Sequence, residues 1–282
     1  MEIIRDVAEM HGKATALHRL GREIGFVPTM GYLHEGHLSL IRVARRENPV
    51  LAVSLFVNPT QFDRHADLES YPVDIDGDLT KLREEEVDLV FVPERQIIYP
   101  PGYATFVEVE GLTRRWEGAH RPGHFRGVTT VVAKLFNIVR PHRSYFGQKD
   151  YQQARVVERM VRDLDMDIEV VVLPTVREPD GLALSSRNVN LTPEERRQAP
   201  MLFQALCWAA DRIKSGEHDA RRLEGEMQRM IHEATAATID YVALCDPESL
   251  EPLDKVAGPV VALLAIRFSR ARLIDNLLIN VH

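Results

Sequence analysis

The feature that most constrains the fold is an alternation of short apolar runs with segments of helical periodicity. The apolar runs are 23–28, 50–57 and 88–92, and helical patterns at 38–47 and 74–86 lie between them. An unbroken apolar run of this length is typical of a strand buried on both faces of a parallel sheet. Because parallel strands need crossover connections, the order strand, helix, strand, helix, strand predicts a doubly wound α/β sheet.

The remaining elements are predicted from the same patterns. In the first part of the chain they are a helix within 1–22, a half-exposed strand at 105–110, a helix at 127–140, a strand at 144–147, a helix at 151–164 and a strand at 167–173. After Pro174 the sequence becomes polar and rich in turns, which indicates a boundary near 175–190. Two helices up to about Ala236, followed by three short strands, predict a smaller α+β domain. The expected domains are therefore 1–175 and 176–282.

The turn between the first of these apolar runs and the helix after it carries the sequence PTMGYLHEGH, from Pro28 to His37. At a helix start, unpaired amides and the positive end of the helix dipole favour anions. Gly31 and Gly36 have no side chain that would keep a phosphate away from the backbone. His34 and His37 lie three positions apart, so both rings can donate to phosphate oxygens. The segment predicts a phosphate site at the entrance of a helix.

Other interpretations of this motif compete with the phosphate site. A P-loop shares the spacing of Gly31 and Gly36, but it needs Lys and Ser or Thr where this chain has His37 and Leu38. A zinc-protease motif needs one residue more between its two histidines than His34 and His37 provide. For a motif as short as His-x-Gly-His, a turn with two solvated histidines stays open as an alternative.

Two further strand ends carry polar residues that could reach a ligand. Asn58 and Gln61 follow the run at 50–57, and Lys149 follows the strand at 144–147 where the next helix begins. In open α/β sheets, ligands bind at the carboxyl ends of the strands. These side chains are therefore candidate ligand contacts.

Two clusters of charge each admit a ligand interpretation and a plain one. A Gly- and Pro-rich loop holds a basic cluster that could face an anion or be a solvated loop: Arg114, Arg115, His120, Arg121, His124 and Arg126. The acidic run Asp74, Asp76 and Asp78 could hold a metal, but acids also favour the start of a helix, and we prefer that second interpretation.

Composition limits the classes of partner. The formal charge of −7 argues against a surface that coats nucleic acid. The chain shows neither a signal peptide nor an apolar run of membrane-spanning length, so we expect a cytoplasmic protein without a membrane partner. Cys207 and Cys245 lie far apart in apolar surroundings, which predicts core thiols and neither a disulfide nor a zinc site.

Five segments, in the same order along the chain, resemble the pantothenate synthetase family. They are Pro28–His37, Phe56–Phe62, Arg121–Val128, Phe146–Gln153 and Gly181–Asn188, and the likeness returns at Ala271–Asn276. This family belongs to the His-x-Gly-His nucleotidyltransferases. The resemblance implies a Rossmann-like sheet of that type with a carboxyl-terminal lid domain.

The resemblance also implies an activity. Members condense (R)-pantoate with β-alanine, using ATP, through a pantoyl adenylate, and they release AMP and pyrophosphate. Expected ligands are therefore ATP, pantoate and β-alanine, with Mg²⁺ as the metal. The family further implies a cytoplasmic homodimer that binds no nucleic acid.

Site residues follow from the matching positions alone. The implied catalytic residues are His34, His37, Lys149 and Arg187. The implied ATP-binding residues are Met30, Gly31, Tyr32, Leu33, His34, Glu35, Gly36, His37, Gly147, Gln148, Lys149, Asp150, Val176, Leu184, Ser185, Ser186 and Arg187. The implied pantoate and β-alanine contacts are Gln61, Gln153 and Asn58, and no residue is assigned to the metal. The chain departs from the family at Gln148, where Glu is common, and we expect little change because its neighbours carry the contacts.

Two other functions remain as alternatives to the ligase. One is a nucleotidyltransferase that transfers AMP to a phosphorylated substrate and stops there. The other is a non-catalytic module that binds a nucleotide or RNA. Gln61 and Gln153 favour the ligase, because a phosphorylated acceptor would require more Arg or Lys in that pocket.

Overall fold

The computed structural model describes residues 1–62, 68–69 and 71–280. The chain forms two compact units. The first consists of residues 1–147 and 153–174, and the second of residues 148–152 and 175–282. The five residues 148–152 thus belong to the second unit, although the residues before and after them belong to the first.

The first unit contains a parallel sheet with helices connecting its strands. The strands are β1 (Glu2–Ile4), β2 (Ile24–Thr29), β3 (Val50–Leu55), β4 (Leu89–Phe91), β5 (Arg143–Gly147) and β6 (Glu169–Leu173). The helices are α1 (Val7–Arg19), α2 (Glu35–Glu47), α3 (Ile75–Glu84), α4 (Arg95–Ile98), α5 (Glu117–His120), α6 (His124–Val139) and α7 (Tyr151–Asp163), whose first two residues fall in the segment 148–152. Among the described residues the strand order is β1-β4-β3-β2-β5-β6, and every pairing is parallel.

Neighbouring residues of the central strands belong to two separate apolar clusters. Phe26 of β2 and Ala52 of β3 pack in the cluster that contains residues of α1 and α6. Val27 and Val53, the next residue of each strand, pack in the cluster that contains residues of α2 and α3. Since successive side chains of a strand point to opposite faces, helices cover both faces of this sheet. The predicted doubly wound, Rossmann-like α/β fold is confirmed.

Two expectations for the first unit differ from the structure. β1 is not predicted by the sequence pattern, because three residues at the edge of a sheet are too few to show one. The strand predicted at 105–110 is wrong. The amide of Val107 donates to Thr130 Oγ1 at 3.0 Å, and Thr129 Oγ1 donates to the Val107 carbonyl at 2.6 Å. Threonine side chains of α6 therefore satisfy this backbone, and it pairs with no described strand.

The second unit is an antiparallel sheet with two long helices packed on it. Its strands are β7 (Thr238–Cys245), β8 (Val260–Arg267) and β9 (Arg272–Ile279), in that order in the sheet, and its helices are α8 (Pro193–Gln198), α9 (Met201–Lys214) and α10 (Ala220–Ala234). The predicted α+β character and the three strands are confirmed. The prediction of two helices is wrong, because Pro200 has no amide hydrogen to continue α8 and so separates it from α9.

The cysteine prediction is confirmed in part. No disulfide joins Cys207 to Cys245; Cys245 is completely buried, but Cys207 is partly exposed. Within the described residues, no helix combines the length and the apolar character that crossing a membrane requires.

Candidate active site

The turn that follows β2 is held by a buried carboxylate. Gly31 and Tyr32 both have a positive φ, +83° and +52°, so the chain makes a tight left-handed turn here. The next amides, of Tyr32 and Leu33, each donate to a different oxygen of Asp78 at 2.7 Å. Lys81 Nζ donates to the Leu33 carbonyl at 2.7 Å. Two side chains of helix α3 thus hold the backbone of the turn, Asp78 through two amides and Lys81 through a carbonyl.

Asp78 changes the interpretation of the acidic run. Burial raises the pKa of the Asp78 carboxyl, and the amides of Leu33 and Tyr32 act in the opposite direction. Successive amides of a turn form a concave anion site, and here the anion is this carboxylate. Asp74 instead caps α3, accepting from the amide of Gly77 at 3.0 Å. Asp74 and Asp78 therefore both accept hydrogen bonds from backbone amides. The amides of Tyr32 and Leu33, two residues expected to bind ATP, are already paired with Asp78.

His34 and His37 cap α2 with their ring nitrogens. His34 Nδ1 accepts from the amide of Gly36 at 3.1 Å, and His37 Nδ1 accepts from the amide of His34 at 3.3 Å. The two ring centroids are 4.2 Å apart. Because each Nδ1 accepts a hydrogen bond, a neutral ring must carry its own proton on Nε2. Each neutral ring therefore has its N–H at Nε2, and both rings lie at the positive end of a 13-residue helix.

Asn58 and Gln61 form one hydrogen-bonded unit after β3. Asn58 is fully buried, and its Nδ2 donates to Gln61 Oε1 at 3.2 Å and to the Gly127 carbonyl at 3.0 Å. Its Oδ1 accepts from the Tyr99 hydroxyl at 2.9 Å. Gln61 Nε2 points to Met30 Sδ at 2.7 Å. Asn58 therefore orients the amide of Gln61, and its own polar atoms are bonded to protein groups.

The basic cluster predicted at 114–126 is dispersed. His124 Nδ1 lies 2.8 Å from the Gln61 carbonyl, and Arg121 donates to the same oxygen at 3.3 Å. Arg126 stacks on an aromatic ring at 3.7 Å, and Arg114 pairs with a glutamate at 3.3 Å. Arg121 and His124 are thus turned towards a candidate site residue, and they hold its backbone.

In the second unit, Gln148–Asp150 form one turn of 3₁₀ helix. Asn276 Nδ2 donates to the carbonyls of Gln148 and Lys149, both at 2.9 Å. Gln148 Nε2 donates to Asn276 Oδ1 at 3.3 Å. Lys149 Nζ lies 3.5 Å from Asp150 Oδ1. Gln148, which stands where the family commonly has Glu, therefore donates a hydrogen bond that an ionised Glu could not donate.

The segment Ser185–Arg187 follows a short turn, residues 176–184, whose two ends are hydrogen-bonded to each other. The amide of Leu184 donates to the Val176 carbonyl at 3.0 Å, and an isolated antiparallel bridge joins Arg177 to Ala183. Ser185 Oγ accepts from the amide of Arg187 at 3.3 Å and so caps the 3₁₀ helix that follows.

The candidate residues are divided between the two units. In the first unit, Met30 contacts Gln61, and Asn58 supports it. The first unit also holds the rest of the Pro28–His37 segment, Gly147 and Gln153, while the second holds Gln148–Asp150, Val176 and Leu184–Arg187.

Three supporting residues are not found from the sequence: Asp78, Arg177 and Asn276. Asp78 belongs to a run of acids, and spacing alone does not show which carboxylate turns inward. Asn276 lies in the last resembling segment, Ala271–Asn276, which is the signal available for it.

A Rossmann-like sheet with a histidine-capped helix start defines a nucleotide-binding protein. The family model described as pantoate-beta-alanine ligase matches residues 2–278. The chain is 53% identical to a pantothenate synthetase of Moorella thermoacetica over 282 residues, which is all of both chains. It is 53% identical to one of Thermotoga neapolitana over 280 residues, 99% of this chain and 100% of that one.

Solved structures agree with these relatives. The crystal structure of pantothenate synthetase from Thermus thermophilus has a TM-score of 0.92 at 50% identity, covering 98% of this chain and 99% of that chain. Pantoate-beta-alanine ligase from Francisella tularensis, complexed with beta-gamma ATP and β-alanine, has a TM-score of 0.81 at 35% identity over 99% and 97%. The chain belongs to the pantoate–β-alanine ligase family, the pantothenate synthetases. Its activity is the ATP-dependent condensation of pantoate with β-alanine.

Proposed function

We propose that the condensation passes through a pantoyl adenylate. A carboxylate is a poor electrophile, so one of its oxygens must first become part of a leaving group. That oxygen attacks the α-phosphorus of ATP, and the bond to the β-phosphate oxygen breaks and releases pyrophosphate. The amine of β-alanine then attacks the acyl carbon, the C–O bond breaks, and AMP leaves with the oxygen. Such steps require positioning and charge stabilisation more than a nucleophilic side chain.

The observation that carries this proposal is the pair of histidine caps on α2. Their Nδ1 atoms accept backbone amides, so the Nε2 atoms carry the protons at the helix start. We assign both rings to the triphosphate, and His37 to proton donation as pyrophosphate leaves. A well-placed general acid contributes about 10²- to 10⁴-fold to a rate.

The remaining contacts with ATP follow the matching positions of the family. Lys149 would contact the phosphates and the pantoate carboxylate, and Ser185, Ser186 and Arg187 would bind the β- and γ-phosphates. Gly147 and Asp150 would contact the ribose, and the backbone of Val176 the adenine. Lys149 is only 19% exposed in its side chain, so its charge is partly shielded from water.

Pantoate would bind through the amides of Gln61 and Gln153. Gln61 is oriented from behind by Asn58, so we assign Asn58 a positioning role at this pocket. Nε2 is then the end of the Gln61 amide that meets the substrate, because Asn58 holds the oxygen. A primary amide suits the hydroxyls of pantoate, whereas a phosphorylated acceptor would need a cation.

Three further properties belong to this proposal. ATP sites bind Mg²⁺ mainly through phosphates, water and one or two carboxylates. Bound to the triphosphate, Mg²⁺ would neutralise charge on the departing pyrophosphate. We further propose a cytoplasmic homodimer. In it, residues 1–175 form the ATP- and pantoate-binding domain, and residues 176–282 supply the Ser185–Arg187 segment.

Oxygen labelling tests the intermediate directly. Pantoate carrying ¹⁸O in its carboxylate is incubated with ATP, Mg²⁺ and β-alanine, and the products are analysed by mass spectrometry. One ¹⁸O atom should appear in AMP for each amide formed, and one should remain in the amide. Label in pyrophosphate, or none in AMP, would contradict the adenylate.

Omitting β-alanine separates the ligase from a nucleotidyltransferase. Without the amine, pyrophosphate should form only up to about one equivalent of enzyme, with AMP held as the acyl adenylate. Continuous AMP release that ignores β-alanine would contradict the proposed second step.

A further inference from the structure

Two neighbouring residues of β9 are polar and almost completely buried. Asp275 is 3% exposed and Asn276 is 2% exposed, although both lie within a strand that pairs along its length with β8. Successive side chains of a strand point to opposite faces. Asp275 and Asn276 therefore lie on opposite faces of the sheet. Their hydrogen-bond partners indicate which segment each one holds.

Asn276 holds both peptide planes that flank the α-carbon of Lys149. Its Nδ2 donates to the carbonyl of Gln148, which belongs to the plane before Lys149, and to the carbonyl of Lys149, which belongs to the plane after it. Each distance is 2.9 Å. Because peptide units are planar, fixing both planes fixes φ and ψ of the residue between them. The direction in which the lysine side chain leaves the backbone is thereby set.

Asp275 holds the residue that opens the turn before Ser185. Its carboxylate accepts two hydrogen bonds from Arg177, at 2.6 and 2.9 Å. The same guanidinium donates to the Gly181 carbonyl at 3.1 Å and to the Asn276 carbonyl at 3.3 Å. It also lies 3.9 Å above the ring of Phe203. Arg177 is thus bonded to both arms of the turn and to β9.

Gly181 shows how closely this turn is fitted. Its φ is +95°, and a Cβ there would lie 2.5 Å from a ring carbon of Phe203. Since only glycine adopts this conformation without strain and leaves this space, the turn has little freedom to shift. Arg177 and Gly181 together therefore fix where Ser185 begins.

We propose that Asp275 and Asn276 are positioning residues for the reaction, which hold the turn Gln148–Asp150 and the base of the segment Ser185–Arg187 on one strand. The inference rests on the proposed phosphate contacts of Lys149 and Arg187. Attachment to adjacent residues of a single strand fixes the backbone at Lys149 relative to the base of the Ser185–Arg187 segment. Tight spacing matters because a displacement of about 1 Å can cost about 100-fold in rate.

A plainly structural role predicts a different pattern of bonds. Asp240, on β7 of the same sheet, is an acid whose side chain is only 9% exposed, and it accepts from Arg267 at 3.0 Å and from Arg272 at 2.7 Å. Those partners are residues of the sheet itself. Buried ion pairs contribute little net stability compared with apolar packing, so the choice of partner is informative. Asp275 and Asn276 hold segments that the proposed mechanism uses, whereas the described hydrogen bonds of Asp240 are to Arg267 and Arg272.

The test compares three variants of the full-length enzyme by initial rates of pyrophosphate release and by thermal unfolding. Asn276→Ala removes both clamping hydrogens, Lys149→Ala removes the proposed phosphate contact, and Asp240→Asn breaks the control ion pair of the sheet. We expect kcat to fall about 10- to 100-fold in Asn276→Ala and to stay within about twofold in Asp240→Asn. The unfolding temperatures of these two variants should be similarly reduced.

Asn276→Asp adds a readout that loss of packing would not give. It keeps the shape of the side chain but turns an acceptor towards two carbonyl oxygens. We expect a larger fall in kcat than in Asn276→Ala, with the KM for β-alanine unchanged, because the amine step does not depend on the triphosphate contacts. If Asn276→Ala unfolds at the assay temperature, Asn276→Ser, which retains one donor, is judged by the same criterion.

The outcomes separate the inference from the function on which it rests. A folded Asn276→Ala with kcat within about twofold of the parent, beside an inactive Lys149→Ala, would overturn the positioning role alone. An equal fall of kcat in Asp240→Asn would overturn it too, since any damage to the sheet would then suffice. An active Lys149→Ala would instead overturn the proposed contact of Lys149.

Discussion

Two helices of this protein begin with a capping box that is made by different side chains. In α8, Thr192 and Glu195 form a capping box, with Thr192 Oγ1 accepting from the Glu195 amide at 3.2 Å and Glu195 accepting from the Thr192 amide at 2.8 Å. In α2, His34 and His37 occupy the same two positions. Thr and Glu are the usual residues of such a box, and they stabilise the helix start. An imidazole accepts a backbone amide at Nδ1 and still has a second ring nitrogen, whereas a threonine hydroxyl or a glutamate carboxylate does not, so the two boxes differ in the chemistry that their side chains can offer.

The largest effect should come from giving α2 the box of α8. His34→Thr with His37→Glu preserves the cap but removes both donors and adds a negative charge where the triphosphate is proposed to bind. We expect kcat/KM for ATP to fall at least about 10³-fold, while Tm stays equal or rises by about 2 °C. Pyrophosphate release and thermal unfolding measure the two effects.

The reverse exchange is its control. Thr192→His with Glu195→His should lower Tm and leave the kinetic constants within about twofold, because α8 has no assigned part in the reaction. A loss of activity in this variant comparable with that of the α2 exchange would mean that helix capping, and not proton donation, explains the histidines.

A single substitution separates capping from acid catalysis at α2. His37→Gln keeps an acceptor for the His34 amide but has no proton to give at neutral pH. We expect kcat to fall about 100-fold, with the KM for ATP and Tm nearly unchanged, in steady-state assays with varied ATP. A variant that unfolded early, or lost only affinity, would assign His37 a structural or binding role.

A smaller effect should come from weakening the hydrogen bonds that Asp78 accepts from the amides of Tyr32 and Leu33. In Asp78→Asn one oxygen still accepts an amide, but the NH₂ group faces the other amide of the Tyr32–Leu33 pair. An unsatisfied buried amide costs about 1–3 kcal/mol, so the left-handed turn should relax and the KM for ATP rise about 10-fold. Asp74→Asn on the same helix is the matched control, because Asn caps a helix as well as Asp does. Equal kinetics in Asp78→Asn and Asp74→Asn would mean that the hydrogen bonds of Asp78 do not affect ATP binding.

The smallest effect concerns stability alone. The amide of Thr192, then the hydroxyl and amide of Ser269, lower the pKa of Glu195 from 4.5 to about 2. A carboxyl with a lowered pKa stabilises the folded state fully above its unfolded pKa of about 4.5, and this contribution is lost as the pH falls towards 2. Glu195→Gln should therefore lower the free energy of unfolding by about 1–2 kcal/mol at pH 7.

Chemical denaturation at a series of pH values measures this effect. The difference between Glu195→Gln and the parent should shrink as the pH falls from about 5 to 3, with activity at pH 7 unchanged. A difference that stays constant over this range would show that the charge of Glu195 is not its source.

The sequence is sufficient for the parallel sheet because its pattern is local. Each residue of β3 is buried, and the run at 50–57, which is apolar except for Ser54, predicts this without reference to any partner. The Pro28–His37 segment is found for the same reason, since it joins a strand to a helix within ten residues. Position and spacing there already express the geometry.

What the sequence could not provide are the contacts between distant residues. The segment 105–110 alternates like a strand, but hydroxyls of Thr129 and Thr130 satisfy it instead. Asp78 looks like any acid at a helix start until the Tyr32 and Leu33 amides are seen beside it. Side-chain partners of this kind depend on how elements pack, and no periodicity records that.

The bonds from Asn276 to Gln148 and Lys149 span 128 and 127 residues, whereas the histidine cap closes within three. Contacts between residues far apart in the sequence form slowly, because a long loop must close before they are gained. During refolding from denaturant, α2 should therefore acquire its cap early, and the lysine-bearing turn should be the last part of the proposed site to settle. Circular dichroism should therefore recover before enzymatic turnover does.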